Sequence, residues 1–444
     1  MARIPKTGSI PLTPGKGPFA NIARNTGWLL GSKGLGAILS LFYLAITTRT
    51  LGPEGFGIFS LVIAVAQFIA RIITFDSWQA VVKYGQIPLR DDRRDMLSLL
   101  IGSTLTIDAL SAIAGLGVAA LLAFGLGPYL GWQPDIAWLG FGYAAVVLLA
   151  LRSTAVGVLR LLDRFAAAAL AESMMPIVRM AGAVTAWWLM PTPLGFLMAW
   201  AASEIVVSTT YWILAYRHGR GHIGRIRFVR PRRAQQHFPG IVPFLMASNI
   251  NLSLVTIINS LPIFILGMFV GAAEAGYYRL AAQLGNAMTT FSQLMSRAIF
   301  SETTRSHVRE TGADRHGELR QLLRKISAFT ALSATIIVLA LFLMGEWLLV
   351  TMSGPAYLPA YPLLLLLGCA AAIEMAGVSF DPLLMTIDRQ RLTVMVRVIE
   401  VFILGACLAI LLPPMGASGT ATSVLIATFA GFLLRALAVR VHLR

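Results

Sequence analysis

The sequence predicts an all-α integral membrane protein. About twelve transmembrane helices form two parallel six-helix lobes, related by a pseudo-two-fold axis along the membrane normal. Three observations predict it. The 444 residues are 57% hydrophobic and only 13% charged, where a soluble domain carries about 25% charged residues. The apolar residues fall in twelve runs, each near the length of about 20 residues that crosses a core of roughly 30 Å. Basic residues collect on every second connection between those runs, a bias that sets membrane orientation.

The runs are 26–48, 56–75, 97–123, 136–160, 170–190, 194–215, 241–270, 277–299, 326–350, 361–386, 392–412 and 416–438. They consume most of the chain and leave no room for a soluble catalytic domain. Arg217, Arg220, Arg225, Arg227, Arg230, Arg232 and Arg233 lie between the sixth and seventh runs. A second group, from Arg305 to Lys325, precedes the ninth run, and Lys83, Arg90, Arg93 and Arg94 precede the third. The connections near 130, 192, 273, 356 and 414 hold no lysine or arginine, and the turn near 50 holds Arg49 alone. Both termini are therefore expected in the cytoplasm of a bacterial inner-membrane protein. Residues 1–25 read as a basic cytoplasmic tail without the apolar segment of a signal peptide. The expected organisation is a lobe over 26–216, a basic linker over 217–240 and a second lobe over 241–444.

The net charge of +16 does not point to nucleic acid, because the charge sits in loops between membrane spans. Such loops attract anionic lipid headgroups. Cys369 and Cys407 fall inside spans and read as small buried hydrophobes. The six histidines, at 218, 222, 237, 307, 316 and 442, fall in cytoplasmic loops or the tail. No cofactor or metal is expected.

The chain repeats itself. Gly52-Pro53-Glu54-Gly55-Phe56-Gly57 closes the first span, and Gly271-Ala272-Ala273-Glu274-Ala275-Gly276 closes the seventh, with Phe59 and Tyr278 two positions after each second glycine. Asp163-Arg164 and Asp388-Arg389 follow spans 4 and 10, while Pro193 and Pro414 open spans 6 and 12. These landmarks are offset by 219, 225 and 221 positions. Six spans per repeat is an even number, so both halves enter from one side, the arrangement of parallel repeats about a central site. The glycines suit tight hairpins that need positive φ, and Pro53 suits a first helical turn.

The stretch Asn21 to Tyr84, with Thr47-Thr48-Arg49-Thr50-Leu51-Gly52-Pro53-Glu54-Gly55-Phe56-Gly57, resembles the start of the polysaccharide biosynthesis flippases. These are the Wzx-type exporters of the multidrug/oligosaccharidyl-lipid/polysaccharide superfamily. Leu266-Gly267 through Gly276-Tyr277-Tyr278 and Ala281 is similar to that family's second hairpin, although alanine stands where the first hairpin has Pro53. The resemblance implies two facing lobes with spans 1, 2, 7 and 8 around a central cavity. It also implies an undecaprenyl-diphosphate-linked oligosaccharide turned from the inner to the outer leaflet by alternating access. A glycan polymerase and a chain-length regulator are the protein partners expected. A lipid II flippase and a drug/cation antiporter are the alternatives within the superfamily. A membrane glycan polymerase or ligase is the enzyme alternative, but the short periplasmic connections carry no histidine or lysine for such chemistry. No G-x-x-x-x-G-K-[ST] phosphate loop is present.

Of the 36 basic residues, all but Lys33, Arg49, Arg71, Arg152, Arg179, Arg279, Arg297 and Arg397 are assigned to the tail or cytoplasmic loops. Intramembrane charge is costly and usually faces a polar cavity or a partner. Lys33, Arg71, Arg152, Arg179 and Arg279 are the candidate substrate-binding residues, since arginine offers paired hydrogen bonds to phosphate. Arg179 lies near the bilayer midplane, about nine residues into span 5. Structural alternatives are snorkelling for Arg49, Arg279 and Arg297 at span ends and also for Lys33, Arg71 and Arg152, an ion pair of Arg179 with Glu172, and one of Arg397 with Glu400. Asp108, Glu204, Glu374 and Asp381 are candidate ion-coupling residues, or neutralise the arginines together with Glu400. Trp187, Trp188, Trp200 and Trp347 are read as interfacial anchors or packing residues.

Overall fold

The computed structural model describes residues 18–127, 134–224, 226, 235–287, 315–378, 380, 384 and 390–442. The described chain is almost entirely helical: α1 Pro18–Ile73, α2 Trp78–Arg90, α3 Arg94–Ala120, α4 Pro134–Leu149, α5 Ser153–Leu161, α6 Phe165–Leu189 and α7 Pro193–Gly219. The second half holds α8 Ile241–Phe269, α9 over 272–287, α10 Arg315–Ser353, α11 Tyr361–Ala376 and α12 Gln390–His442. Among the described residues, nine helices are long and apolar enough to cross a membrane.

Two of those nine are longer than one crossing. α1 has 56 residues, about 84 Å at roughly 1.5 Å per residue. It is broken at Gly52, where φ is 64° and ψ 179°. α12 has 53 residues and breaks at Gly416, with φ 56° and ψ −128°. The sequence expects two spans in each of these places, and the connecting turn shrinks to little more than one glycine. Only a residue without Cβ takes these angles cheaply. The eighth expected span, 277–299, is described to residue 287 only.

One helix and one break were not foreseen. The second arm of α1 stops at Ile73, near the expected end at 75, but the chain restarts as α2, and the fourth span splits into α4 and α5 at residues 150–152. Carbonyls freed inside a membrane must find new donors. Trp212 Nε1 donates to the Leu151 carbonyl at 2.5 Å, joined by Ser208 Oγ at 3.4 Å. Asn249 Nδ2 of α8 donates to the Ile72 carbonyl at 2.9 Å. Each break is therefore satisfied by a side chain from a neighbouring helix.

The core centres on the α1 break. Tyr43, Phe59, Phe196 and Trp200 pack edge to face, with Trp200 centred 5.1 Å from Tyr43 and 5.0 Å from Phe59. Phe56 continues the stack to Tyr357, and Tyr357 to Tyr277, so the cluster joins the two halves of the chain. Such pairs add about 0.5–1.5 kcal/mol each beyond burial. Trp200 is thus a packing residue. Trp187, Trp188 and Trp347 are exposed on the outer surface, as anchors would be.

Candidate substrate cavity

The two hairpins meet. A Cβ built on Gly57 would lie 1.7 Å from the carbonyl oxygen of Ala272, and one on Gly276 would lie 2.4 Å from the carbonyl oxygen of Pro53. Gly271 opens the second hairpin with φ 130°, matching the positive φ of Gly52. Beside this seam, Arg49 Nε donates to the Met352 carbonyl at 2.9 Å and Nη2 to the Thr351 carbonyl at 2.5 Å. Thr48 Oγ1 donates to Ser353 Oγ at 3.0 Å, and Tyr357 OH to the Thr48 carbonyl at 3.2 Å. Arg49 therefore does not simply snorkel. It holds the last carbonyls of α10, a helix end whose acceptors need outside donors, and joins the halves at the hairpin end.

Below the seam lies a pocket of about 40 Å³, lined by Thr47, Ser60, Gln67, Arg179, Arg279 and Gln283 among others. Gln67 also lines a larger cavity of about 580 Å³ that reaches the end bearing the basic connections. That volume lies within the roughly 300–1,000 Å³ of small-molecule sites. One face of α1 and its end wall it with Gln67, Arg71 and Thr74, and α8 walls it with Asn249, Leu252, Thr256 and Asn259. Both sets recur every three or four residues, so each is one helical stripe. Arg152 and Arg160, with Asp76, Asp108, Glu172 and Glu204, complete the charged lining.

The charges are organised around Glu204. Arg152 Nη1 donates to its Oε2 at 2.6 Å and Arg179 Nη2 to its Oε1 at 3.1 Å. Arg179 Nε also reaches Ser203 Oγ at 3.2 Å, and its guanidinium lies 5.3 Å from the Trp200 ring. Two cations share one anion, so the cluster keeps a net positive charge. Arg152 sits at the α4–α5 break as the N-cap of α5, its carbonyl accepting from Val156 N at 2.9 Å, and its side chain is one-third exposed to the cavity.

The expected Glu172–Arg179 pair is not formed. Seven residues on a helix separate the side chains by about 10 Å along the axis, and Glu204 of α7 is nearer. Glu172 instead accepts from Tyr211 OH at 2.7 Å. Asp108 neutralises no arginine. Its carboxylate accepts from Ser77 Oγ at 2.5 Å and Thr154 Oγ1 at 2.7 Å, pinning both helix breaks to α3. Arg71 is exposed on the cavity wall, and Arg279 lines the small pocket rather than an outer interface. Glu374 is exposed on α11. Lys33 lies on α1 but its side chain is outside the described set, as are Arg297 and Asp381. Glu400 pairs with Arg435 of the same broken helix, and both are buried. Arg435 lies inside the last expected span, 416–438, although it is not among the candidate intramembrane charges. Arg160, stacked 4.0 Å over Trp78 at the cavity mouth, closes the fourth expected span and is likewise not among the candidates.

Comparison with known proteins places this architecture. A lipid II flippase MurJ in an inward closed conformation superposes with a TM-score of 0.67 at 13% identity, over 93% of this chain and 87% of that one. An inward-facing multidrug resistance MATE family transporter of the MOP superfamily gives 0.68 at 14% identity, over 91% and 94%. A MOP superfamily transporter from Pyrococcus furiosus gives 0.60 at 15% identity, over 95% of each chain. These likenesses establish the fold. In sequence, inner membrane protein YghQ of Escherichia coli (strain K12) is 30% identical over 354 residues, 78% of this chain and 97% of that protein. The family model described as polysaccharide biosynthesis protein matches residues 22–300. With 63% of its length under that model, on the fold of the MOP transporters, the chain belongs to the polysaccharide biosynthesis protein family.

Proposed function

We propose that this protein is an inner-membrane flippase for a polyprenyl-diphosphate-linked oligosaccharide, carrying it from the cytoplasmic to the periplasmic leaflet. The observation that carries the reading is the Arg152–Glu204–Arg179 cluster. It presents a surplus positive charge between two halves of a membrane protein whose family concerns polysaccharide biosynthesis. A diphosphate is the anion that paired guanidinium donors fit. In this reading the basic-connection end faces the cytoplasm, both termini are inside, and the lobes 26–216 and 241–444 rock about the cavity. The hairpin seam is then the periplasmic gate. Arg71, Arg152, Arg179 and Arg279 take the phosphates in turn along the α1 face, and Lys33 belongs to the same set. A polymerase and a chain-length regulator would receive the product at the periplasmic face. The short connections at the hairpin end favour a transporter over an enzyme, and the two arginines sharing Glu204 favour an anion over a cationic drug. Depleting the protein tests the reading: one lipid-linked oligosaccharide should accumulate on the cytoplasmic leaflet, as mass spectrometry of extracted lipids would show. An unchanged lipid-linked pool would sink it.

A further inference from the structure

A second cavity adjoins the charged one. It holds about 890 Å³ and runs between α2 and α6 over a floor made by the end of α5. Its walls are helical stripes: Val82, Gln86 and Leu89 on α2, and Phe165, Ala168 and Ala169 on α6. Leu161 lies on its floor, and its charged groups are Arg90 and Arg160 with Asp163 and Glu172. Trp78, Arg160, Glu172 and Tyr211 line both cavities. Those four form two fixed pairs, Arg160 stacked on Trp78 and Tyr211 bonded to Glu172, so they mark the threshold between the charged cavity and the groove. α6 is peripheral: Leu170, Ile177 and Val184 on its outer side are exposed. The groove therefore reaches the perimeter of the helical bundle, at the end of α6 that begins beside the basic connections.

We infer that the α2–α6 groove holds the prenyl chain of the lipid-linked substrate while its diphosphate enters the neighbouring charged cavity. The inference rests on the flippase reading and adds a lateral entry within the first half of the chain. A polyprenyl diphosphate is amphipathic, and its two parts need adjoining apolar and cationic sites. The groove supplies the first and Arg152 with Glu204 and Arg179 the second, with Arg160 at the junction where the first phosphate must lie. Arg160 is suited to that place because its guanidinium, stacked on the Trp78 ring, keeps its donors free along the edges. Free phospholipid would fill the apolar walls but has no diphosphate to reach Arg152.

The test uses the full chain reconstituted in lipid nanodiscs, with a polyprenyl diphosphate carrying a diazirine on its prenyl chain. Photolysis should label peptides of α2 and α6, and unlabelled polyprenyl diphosphate should compete. Val82→Trp and Ala168→Trp, on opposite walls, should each lower labelling about tenfold, since excluding about two buried methylenes suffices for that. Binding of inorganic diphosphate, followed by calorimetry, should be unchanged in both variants. If one variant fails to fold, judged by size-exclusion profile, the other decides. Labelling elsewhere on the bundle, or labelling untouched by a folded tryptophan variant, overturns the groove while leaving the flippase reading intact. Equal competition by phosphatidylglycerol also overturns it, because the groove would then hold ordinary lipid. Loss of inorganic diphosphate binding in the unmodified protein would instead count against the charged cavity itself.

Discussion

Gly57 and Gly276 face each other across the two halves of the chain, each against a backbone carbonyl of the other hairpin. Gly57 meets Ala272 and Gly276 meets Pro53. The two contacts exchange under the same 219-residue offset that relates Gly52 to Gly271. A reciprocal contact of this kind is what a two-fold relation between halves produces. It also explains why these positions are glycine: the seam closes to backbone contact only where no Cβ intervenes.

Gly57→Ala and Gly276→Ala should therefore hold the hairpins apart. The expected outcome is loss of transport with normal membrane abundance, and increased labelling of a cysteine at Thr47 by a thiol reagent added from the periplasmic side. Unchanged labelling in both variants would mean the seam yields without opening.

Thr48 and Ser353 allow the opposite experiment. Their hydroxyl oxygens lie 3.0 Å apart across the halves, close enough for a disulfide between cysteines placed there. In a chain with Cys369 and Cys407 replaced by alanine, Thr48→Cys with Ser353→Cys should crosslink on oxidation and halt transport, and reduction should restore it. Transport that continues with complete crosslinking would show that these segments need not part.

Glu204 and its arginines should respond unequally to substitution. Removing either arginine leaves one cation with one anion, whereas Glu204→Gln leaves two guanidiniums facing a neutral amide. Breaking a buried pair costs about 3–5 kcal/mol, so Glu204→Gln should lower the melting temperature more than Arg152→Ala or Arg179→Ala. The arginine variants should instead lose transport at normal abundance. Arg179→Lys should recover part of it, because charge remains without the planar fork. Equal melting temperatures for all three would mean the cluster is solvated and does not act as a unit.

Much of this architecture was legible in the sequence, because membrane burial imposes a strong apolar period and loops betray their side by charge. The positive φ at Gly52 and Gly271 followed from hairpins too short for any other residue. The site was legible only in part. Arg152, Arg179 and Glu204 were each visible as costly intramembrane charges, but their grouping depends on how α5, α6 and α7 pack. Sequence spacing suggested Glu172 for Arg179 because it registers neighbours on one helix and not across two. The restart as α2 and the break before α5 escaped notice because the freed carbonyls beside them are satisfied by distant residues, Asn249 and Trp212. Arg49 looked like a snorkelling residue because its acceptors lie some 300 positions away.

The orientation assumed for these states can be checked independently. Reporters active only in the periplasm should work when fused after Gly131, Pro191, Gly271, Pro355 or Pro414. They should be silent after Arg94, Gly219 or Gly312. Activity from the Gly219 fusion would reverse the assignment of the two ends and make the hairpin seam a cytoplasmic gate.

The second half carries its own buried pair, and it tests how the broken last helix is held. Glu400 and Arg435 lie on the two arms of α12, on either side of the Gly416 break, and their carboxylate–guanidinium contact ties the arms together. A Cβ on Gly431 would lie 2.7 Å from the Glu400 carboxyl carbon. Gly431→Ala should therefore displace Glu400 from Arg435 and act much as Glu400→Ala does, lowering stability by about 3–5 kcal/mol through a stranded buried charge. Replacing both charges together, Glu400→Gln with Arg435→Met, should cost less than either single change, because no uncompensated charge remains. Thermal unfolding of the five variants, the two singles Glu400→Gln and Arg435→Met included, in one detergent measures this. A double variant less stable than both singles would show that the pair contributes through contacts other than its charge.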